Sequence, residues 1–254
     1  MIMEIYCKTA LSKSKIPGID YSLNPYIGCQ HACIYCYVPS MFNIDFNEWK
    51  KPKVKRNMPN VLMKELRKKK RGIVGISTST DAYQPLELKY EITRKCLNLL
   101  LKHEWGIDIL TKSKNVLRDL QIIKKFNSAK VGVTITTFSN EKWEGGSKAE
   151  ERIETIKKFA NEGIFTYIFF GPIFPLMDDE EIQYCIEEFI SANVDAIVID
   201  KLHIKKGLLH RLKSAYPNEF NEMKKALLGN FYEEAFRKVF EIAKGRIRVI
   251  KAWD

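Results

Sequence analysis

Three cysteines within eight residues carry the clearest chemical signal in this chain. They are Cys29, Cys33 and Cys36, spaced Cys-x3-Cys-x2-Cys. Three thiolates so close together along the chain can ligate three irons of a [4Fe–4S] cluster. No fourth cysteine lies nearby, so this segment would leave the fourth iron without a protein ligand. An iron with an open position can bind a small molecule and reduce it.

Two other uses of the same segment stay open on the residues alone. His31 could complete a zinc site with Cys29, Cys33 and Cys36. Structural zinc sites, however, usually take their ligands as two separated pairs, which this spacing does not provide. The second alternative is a set of disulfides, which intracellular proteins rarely keep. The spacing therefore favours the cluster.

The composition is that of an ordinary globular protein. The chain has 254 residues, of which 45% are hydrophobic and 29% are charged, enough for one large α/β domain. No signal peptide is evident and no apolar run is long enough to cross a bilayer, so we expect a cytoplasmic protein with no membrane partner. Cys7, Cys96 and Cys185 stand among apolar neighbours, and we expect them to be buried thiols.

The net charge of +11 is concentrated in one part of the chain. Between Lys50 and Arg71 there are eleven basic residues and one acid, Glu65, which leaves 31 bases and 30 acids elsewhere. A concentrated basic patch suits a polyanion such as nucleic acid. A solvated, lysine-rich helix face is the alternative. The basic run thus makes nucleic acid a candidate partner.

Apolar runs alternate with amphipathic segments along most of the chain, which indicates a parallel sheet covered by helices. Six β/α units fit, and they predict an α/β fold with a partial (β/α)6 TIM-like barrel; a doubly wound open sheet is the alternative. We expect a single domain over 1–254, with an extension over 1–20, the barrel over 21–200 and a helical and strand extension over 201–254. The predicted strands lie near 21–27, 73–76, 107–110, 131–135, 165–170 and 194–199, and the predicted helices near 92–100, 113–123, 153–159, 178–189 and 236–243.

Small polar residues follow three of the predicted strands, at 77–81, 111–113 and 134–137. In folds of this class the chemistry lies at the C-terminal ends of the strands. One of these residues, Ser113, is also expected to cap a helix. Three such groups, together with a cysteine loop after the first strand, predict a binding rim.

Beyond the cysteines, the chain resembles the spore photoproduct lyase-related group of radical S-adenosylmethionine (radical SAM) enzymes. The cysteine spacing, with the aromatic Tyr35 just before the third cysteine, is similar to that of the superfamily. The stretch Thr80-Asp81-Ala82-Tyr83-Gln84-Pro85 narrows the resemblance to this group. Other matching segments are 24–29, Thr93-Arg94, 111–113, 117–120, 133–137, Arg152, and 172–175 followed by Asp178.

The resemblance implies an enzyme with a [4Fe–4S] cluster held by Cys29, Cys33 and Cys36, and with S-adenosylmethionine (SAM) chelated to the fourth iron. An electron from a ferredoxin- or flavodoxin-type donor would cleave SAM into methionine and a 5′-deoxyadenosyl radical, which takes a hydrogen atom from a substrate. Lys112 would pair with the SAM carboxylate, and two tyrosines would flank the adenosine. The implied cofactor-binding residues are Tyr35, Tyr37, Ser79, Thr80, Asp81, Lys112, Thr134 and Thr136.

The chain also departs from spore photoproduct lyase, which uses a cysteine at the end of its second strand as hydrogen-atom donor. Ser79 stands at the matching position here, and a serine O–H bond is too strong for that role. Leu176 and Met177 alter the usual Pro-Gly-x-x-Asp segment before Asp178. We therefore expect a radical SAM enzyme, lyase-like or nucleic-acid-modifying, that does not repair thymine spore photoproduct. The alternative is a non-catalytic zinc- or iron–sulfur-binding protein that interacts with nucleic acid.

Overall fold

The computed structural model describes residues 2–139 and 142–252. Within these ranges the chain forms eleven strands in two sheets, one of eight strands and one of three. The strands are β1 (Met3–Ile5), β2 (Leu11–Lys13), β3 (Tyr21–Leu23), β4 (Tyr26–Ile27), β5 (Lys53–Lys55), β6 (Ile73–Ile76), β7 (Gly106–Thr111), β8 (Ala129–Thr134), β9 (Phe165–Phe170), β10 (Ala196–Ile199) and β11 (Arg248–Lys251).

The large sheet has the order β11-β10-β9-β8-β7-β6-β3-β2. All neighbours in it run parallel except β2 and β3, which pair antiparallel. The small sheet has the order β1-β5-β4 and lies beside the segment that holds the cysteines. In the described part of the chain β2 and β11 are the two edges of the large sheet, so it is an open, partial barrel.

Helices connect the parallel strands and cover one face of the sheet. The helix α7 contacts β8 and β9, and two further pairs, α3 with α5 and α8 with α11, contact each other. The helices are α1 (Val38–Met41), α2 (Phe46–Trp49), α3 (Met58–Leu66), α4 (Glu87–Tyr90), α5 (Ile92–Lys102), α6 (Leu120–Ile123), α7 (Ala149–Asn161), α8 (Asp179–Ser191), α9 (Leu208–Ala215), α10 (Phe220–Leu228) and α11 (Phe231–Ala243), with a 3₁₀ helix over Lys114–Asp119.

Side chains that alternate along β7 face the hydrophobic core on one side of the sheet and the cavity on the other. Ile107 and Ile109 are fully buried, while Leu110, which points to the opposite side, lines a cavity. On α7 the apolar stripe expected from the sequence, which includes Ile156 and Phe159, is fully buried. The helices therefore cover the outer face of the sheet, and the inner face is left for the cavity.

The predicted α/β class and parallel sheet are confirmed, and five of the six predicted strands are present as single strands. The strand predicted over 21–27 is instead split into β3, in the large sheet, and β4, in the small sheet. Asp178 caps α8 as expected, since its side chain accepts from the backbone N–H of Glu181 at 2.8 Å. Ser113 also caps a helix, but the helix begins as the 3₁₀ segment and becomes α-helical only at Leu120. Phe240, expected on the apolar face of α11, is 50% exposed.

Candidate active site

A cavity of about 220 Å³ lies at the C-terminal ends of the parallel strands. That volume is far larger than one water molecule or one metal ion needs. All three cysteines of the loop line it, and so do residues at or directly after the C-terminal ends of β6, β7, β8, β9 and β10. The polar groups expected at the strand ends therefore do converge with the cysteine loop.

The cysteine loop is held by backbone contacts with α2. The N–H of Cys29 donates to the carbonyl of Trp49, the last residue of α2, at 2.9 Å. Within the loop, the N–H of Cys36 donates to the carbonyl of Cys33 at 3.1 Å. Gly28 begins the loop with a φ of 96°, and a Cβ at this position would lie 2.6 Å from the carbonyl oxygen of Trp49. The start of the loop thus requires glycine both for its conformation and for its close approach to α2.

Gln84 fixes the backbone on both sides of Cys29. Its side-chain oxygen accepts from the N–H of Gln30 at 3.0 Å, and its amide nitrogen donates to the carbonyl of Gly28 at 3.3 Å. Gln30 in turn accepts from the N–H of Leu86 at 2.7 Å. Gln84 is completely buried and belongs to the stretch 80–85, which is similar to the spore photoproduct lyase-related group. This stretch therefore has a structural role in positioning the cysteines.

The three thiols lie in surroundings that disfavour the thiolate. Burial, followed by the charge of Asp81, raises the pKa of Cys29 well above the ordinary value of a cysteine. Burial also raises the pKa of Cys33, and burial with the neighbouring Cys33 raises the pKa of Cys36 to about 11. Thiolates in such a place need a positively charged partner, and iron ions supply that charge when they replace the protons.

Asp81 is engaged by the protein itself. Its carboxylate accepts from the Thr111 hydroxyl at 2.7 Å and from the backbone N–H groups of Tyr83 and Lys112 at 2.8 Å each. Its Oδ2 lies 3.3 Å from His31 Nε2. Although burial opposes ionisation, the His31 charge and these hydrogen bonds hold the pKa of Asp81 well below its usual range. Asp81 lines the cavity, but its contacts show that it ties β6, β7 and the cysteine loop together.

Lys112 brings a cation to the wall of the cavity. Its ammonium lies 5.7 Å from the ring centre of Tyr35, and it forms no ion pair with any residue in the described ranges. Burial alone would lower the pKa of Lys112, but the nearby Cys33, Glu144 and Asp81 outweigh burial and raise it. A cation that lines a cavity without a paired anion is suited to bind an anionic group of a ligand.

Glu144 lies behind Tyr35 and was not anticipated from the sequence. It accepts hydrogen bonds from the Tyr35 hydroxyl and from Arg152. Arg152 also donates to the carbonyls of Thr134 and Ser147, at 2.8 and 2.7 Å. This buried network fixes the ring of Tyr35 and the end of β8.

The small polar residues that line the cavity differ in whether their hydroxyl groups already have hydrogen-bond partners. Ser77 lines the cavity in a left-handed conformation with φ of 62°, and within the described ranges its buried hydroxyl has no hydrogen-bond partner. Ser79 and Thr80 line the cavity while bonded to Asn24 Oδ1 at 2.9 Å and to the carbonyl of Gly28 at 2.5 Å. A bound ligand would satisfy the unpaired hydroxyl of Ser77.

Of the other residues predicted to bind the cofactor, Tyr35, Tyr37 and Thr134 also line the cavity. Thr136 is fully buried, and its hydroxyl has no partner in the described part of the chain, but it is not among the cavity-lining residues. Cys7, Cys96 and Cys185 lie away from the cavity too, so they offer it no thiol besides the three of the loop. Tyr83 is buried outside the cavity lining.

Two contributions from the C-terminal segment were not found by sequence reasoning. Asp200, directly after β10, lines the cavity with its Oδ2 3.0 Å from His203 Nε2, and the His203 ring lies 5.2 Å from that of Tyr37. Arg211 on α9 donates to the carbonyls of Ile34 and Cys36, at 3.1 and 2.6 Å. The rule that placed polar groups at strand ends could have found Asp200, but no local pattern marks Arg211.

The donor set and the cavity suit a cluster better than a single ion. Among residues 2–139 and 142–252, no three His, Cys, Asp or Glu side chains converge closely enough to hold one metal ion. The three free thiols instead line a space that also holds the unpaired Lys112 and Ser77. A cluster with a second, polar and anionic ligand fits this arrangement.

Comparison with known proteins identifies the family. The radical SAM superfamily model matches residues 23–189. The chain belongs to the radical SAM superfamily. Enzymes of this superfamily use a [4Fe–4S] cluster and SAM, so the cofactors expected from the sequence are confirmed, and the superfamily membership implies an enzyme.

Two curated relatives of this radical SAM protein are described as uncharacterized proteins. One from Methanocaldococcus jannaschii is 34% identical over 232 residues, covering 86% of this chain and 85% of the relative. Another from Mycobacterium bovis is 27% identical over 222 residues, covering 80% of this chain. The match spans 65% of the mycobacterial protein, just under two thirds of its length.

Solved structures confirm the fold. A mutant of spore photoproduct lyase with bound SAM and dinucleoside spore photoproduct matches with a TM-score of 0.71, covering 99% of this chain and 81% of the lyase at 13% identity. SuiB of Streptococcus suis bound to SAM matches with a TM-score of 0.55, covering 93% of this chain and 51% of SuiB at 12% identity. At such identities these likenesses show the fold alone.

Within the described ranges no helix has the length and apolar character of a membrane span.

Proposed function

We propose that this radical SAM protein cleaves SAM reductively and abstracts a hydrogen atom from a substrate, with Cys29, Cys33 and Cys36 as the cluster ligands. The observation that carries the proposal is the position of these three thiols in one cavity with an unpaired lysine and an unpaired serine hydroxyl. When bound, the cluster and SAM supply the one-electron cleavage that yields methionine and a 5′-deoxyadenosyl radical. The chain itself binds, orients and shields these groups.

In this proposal Lys112 binds the SAM carboxylate, because it lines the cavity beside the cysteine loop and forms no ion pair within the described ranges. The hydroxyls of Ser77 and Thr134 are proposed to bind the polar parts of SAM. The hydroxyls of Ser79 and Thr80 already donate within the protein and can only accept hydrogen bonds from SAM. Asp81 acts through its contacts with the loop and with the backbone of Lys112, as a positioning residue.

Tyr35 and Tyr37 line the same cavity and are proposed to flank the adenosine. The ring of Tyr35 is fixed by Glu144, whereas Tyr37 contacts His203 on the side of β10. Thr136 lies outside the cavity lining, so its proposed role is to support the end of β8 rather than to contact SAM. The division of the chain at 20 and 200 and the cytoplasmic location remain predictions.

A nucleic-acid substrate also remains a prediction, and the structure divides the basic run on which it rests. Lys50 follows Trp49, which lines the cavity. Arg67 to Arg71 instead precede β6, at the N-terminal ends of the strands, where Arg71 pairs with Glu104 just before β7. Lys69 donates to the carbonyl of Leu11, and Arg56 pairs with Glu4. The run is therefore not one continuous surface beside the cavity.

Anaerobic reconstitution with iron and sulfide, followed by reduction with dithionite, tests the proposal. We expect about four irons per chain and the formation of 5′-deoxyadenosine from SAM. The Cys33→Ala variant should lose both, whereas Cys185→Ala, a buried thiol outside the cavity, should keep both. Normal iron loading in Cys33→Ala, or one zinc per chain in place of iron, would contradict the assignment.

A further inference from the structure

An exposed apolar patch lies beside the cysteine loop. Met41, the last residue of α1, and the following Phe42 are 64% and 53% exposed, and Phe42 stacks on Trp49 with ring centres 6.0 Å apart. Trp49 is buried, lines the cavity and accepts the backbone hydrogen bond of Cys29. One aromatic residue therefore separates the solvent-exposed Phe42 from the loop that carries the cluster ligands.

Basic residues flank this patch on two sides. Lys50 is exposed directly after Trp49. On the other side the Ser40 hydroxyl donates to the carbonyl of Lys206 at 2.8 Å, which holds the loop before α9 against α1. Residues 201–213 contain five lysines and arginines and no acid, and Ile204 among them is 41% exposed. Two acids lie on the segment before Lys50: Asp45 accepts hydrogen bonds from the backbone N–H groups of Asn47 and Glu48, and Glu48 is paired with Lys51 at 2.9 Å.

We infer that this surface, defined as Met41, Phe42, Lys50, Ile204, Lys205 and Lys206 and called the cluster-loop face, docks an acidic electron-carrier protein. The inference rests on the proposed function, because it concerns how the cluster receives its electron. One electron leaves the reduced centre of the carrier, which is oxidised by one electron, and the cluster is reduced by one; no bond is made or broken. An apolar centre with a charged rim is the usual build of a protein interface.

The charge on the face complements an acidic partner and sets the rate of encounter. Electrostatic steering raises association rates by about 10- to 1000-fold and is lost as the salt concentration rises. Electron-transfer complexes bury small interfaces and are weak, so steering matters more for them than buried area. The three exposed apolar residues of the cluster-loop face, Met41, Phe42 and Ile204, suit a small interface of this kind.

The divided basic run supplies a matched control. Arg67, Lys68 and Lys70 are exposed like Lys50, Lys205 and Lys206, but they lie at the opposite ends of the strands from the cavity. A face variant, Lys50→Glu with Lys205→Glu and Lys206→Glu, and a control variant, Arg67→Glu with Lys68→Glu and Lys70→Glu, change the net charge equally. Neither set includes a residue that lines the cavity.

The test measures 5′-deoxyadenosine formation by the reconstituted enzymes with a reduced acidic flavodoxin, and in parallel with dithionite. We expect the flavodoxin-driven rate of the face variant to fall about tenfold at low salt and to lose its salt dependence, with an unchanged dithionite rate. Flavodoxin binding measured by calorimetry should weaken in the same variant, and iron content should not change. Met41→Glu should also slow the flavodoxin-driven rate, and the control variant should behave as the wild type.

Equal flavodoxin-driven rates in the face and control variants would overturn the inference. It would also be overturned if the face variant lost affinity for a DNA or RNA oligonucleotide while it kept its flavodoxin-driven rate, since the face would then bind nucleic acid. Failure of the wild type to form 5′-deoxyadenosine with dithionite would refute the proposed function itself. The dithionite measurement thus separates the two failures.

Discussion

Replacement of Lys112 by methionine should weaken SAM binding without destabilising the protein. Methionine keeps most of the length and the apolar stem of the lysine and removes only the charge. In the protein without ligands, Lys112 forms no ion pair within the described ranges, so its loss removes only the longer-range attraction of Glu144 and Asp81. With SAM bound, the carboxylate of SAM would lose its cation.

The size of the effect follows from the position of Lys112. Removal of one partner from a buried charge pair costs about 2–5 kcal/mol. Lys112 is only partly buried and the cavity is open to solvent, so the lower part of this range applies, about 2–3 kcal/mol. Such a loss corresponds to a rise in the SAM dissociation constant of roughly 30- to 150-fold.

Calorimetric titration of the reconstituted protein with SAM measures this change, and thermal unfolding measures stability. The melting temperature should shift by less than about 2 °C, since 1 kcal/mol corresponds to about 2–4 °C in a chain of this size. Lys114→Met is the control, because Lys114 is exposed and pairs with Glu151. If Lys112→Met bound SAM like the wild type but melted several degrees lower, Lys112 would be a structural residue and the reasoning would be refuted.

Three further predictions concern the residues that support the site and the sheet. Asp81→Asn should lower the free energy of unfolding by about 2–4 kcal/mol in denaturant titrations, because the new amide places donors against the hydroxyl and N–H groups that Asp81 accepts. Gln84→Ala should reduce the iron bound after reconstitution, as measured by iron analysis, whereas the exposed Gln121→Ala should not. Burial raises the pKa of Asp108 in the folded protein. Between the ordinary pKa of an aspartate, about 4, and this raised pKa, the folded protein holds a proton that the unfolded chain has released. The free energy of unfolding therefore declines as pH rises through this interval. Asp108→Asn should therefore gain stability over the wild type between about pH 3, below the ordinary pKa of an aspartate, and about pH 8. An equal stability difference at these two pH values would contradict this.

The parallel strands β6 to β10 were predictable because each is an apolar run followed by a helical pattern, but their order in the sheet was not. The last four residues of β8 are buried on both faces, so this strand reads as a nearly continuous apolar segment, whereas β7 alternates between partly buried and buried residues. The small sheet of β1, β5 and β4 was missed because its strands have only two or three residues each and are partly exposed. Strands so short leave no periodic signal.

For the site, the local rule that chemistry lies at strand ends found Ser79, Thr80, Asp81, Lys112 and Thr134. That rule gives position but not partners. It could not distinguish Asp81, whose carboxylate is already used, from Lys112, which has no partner ion in the described ranges. Glu144 and Arg211 reach the site from a loop and from α9, and their contacts join residues 109 and 175 positions apart. Such contacts depend on the finished fold and not on neighbouring residues.

The contact between Tyr37 and His203 has a consequence for access to the cavity. Tyr37 follows the β3 and β4 region and His203 follows β10, so two strands that are far apart in the sheet order meet only through side chains. Opening a gap between paired strands requires the loss of several backbone hydrogen bonds, whereas moving two rings requires only a change of rotamer. In the described part of the chain, three side-chain hydrogen bonds also cross this gap, from Arg211 to the carbonyls of Ile34 and Cys36 and from the Ser40 hydroxyl to the carbonyl of Lys206. Widening this side of the cavity therefore breaks these three bonds but no strand pairing of the described residues, which makes it the side at which the cavity can open.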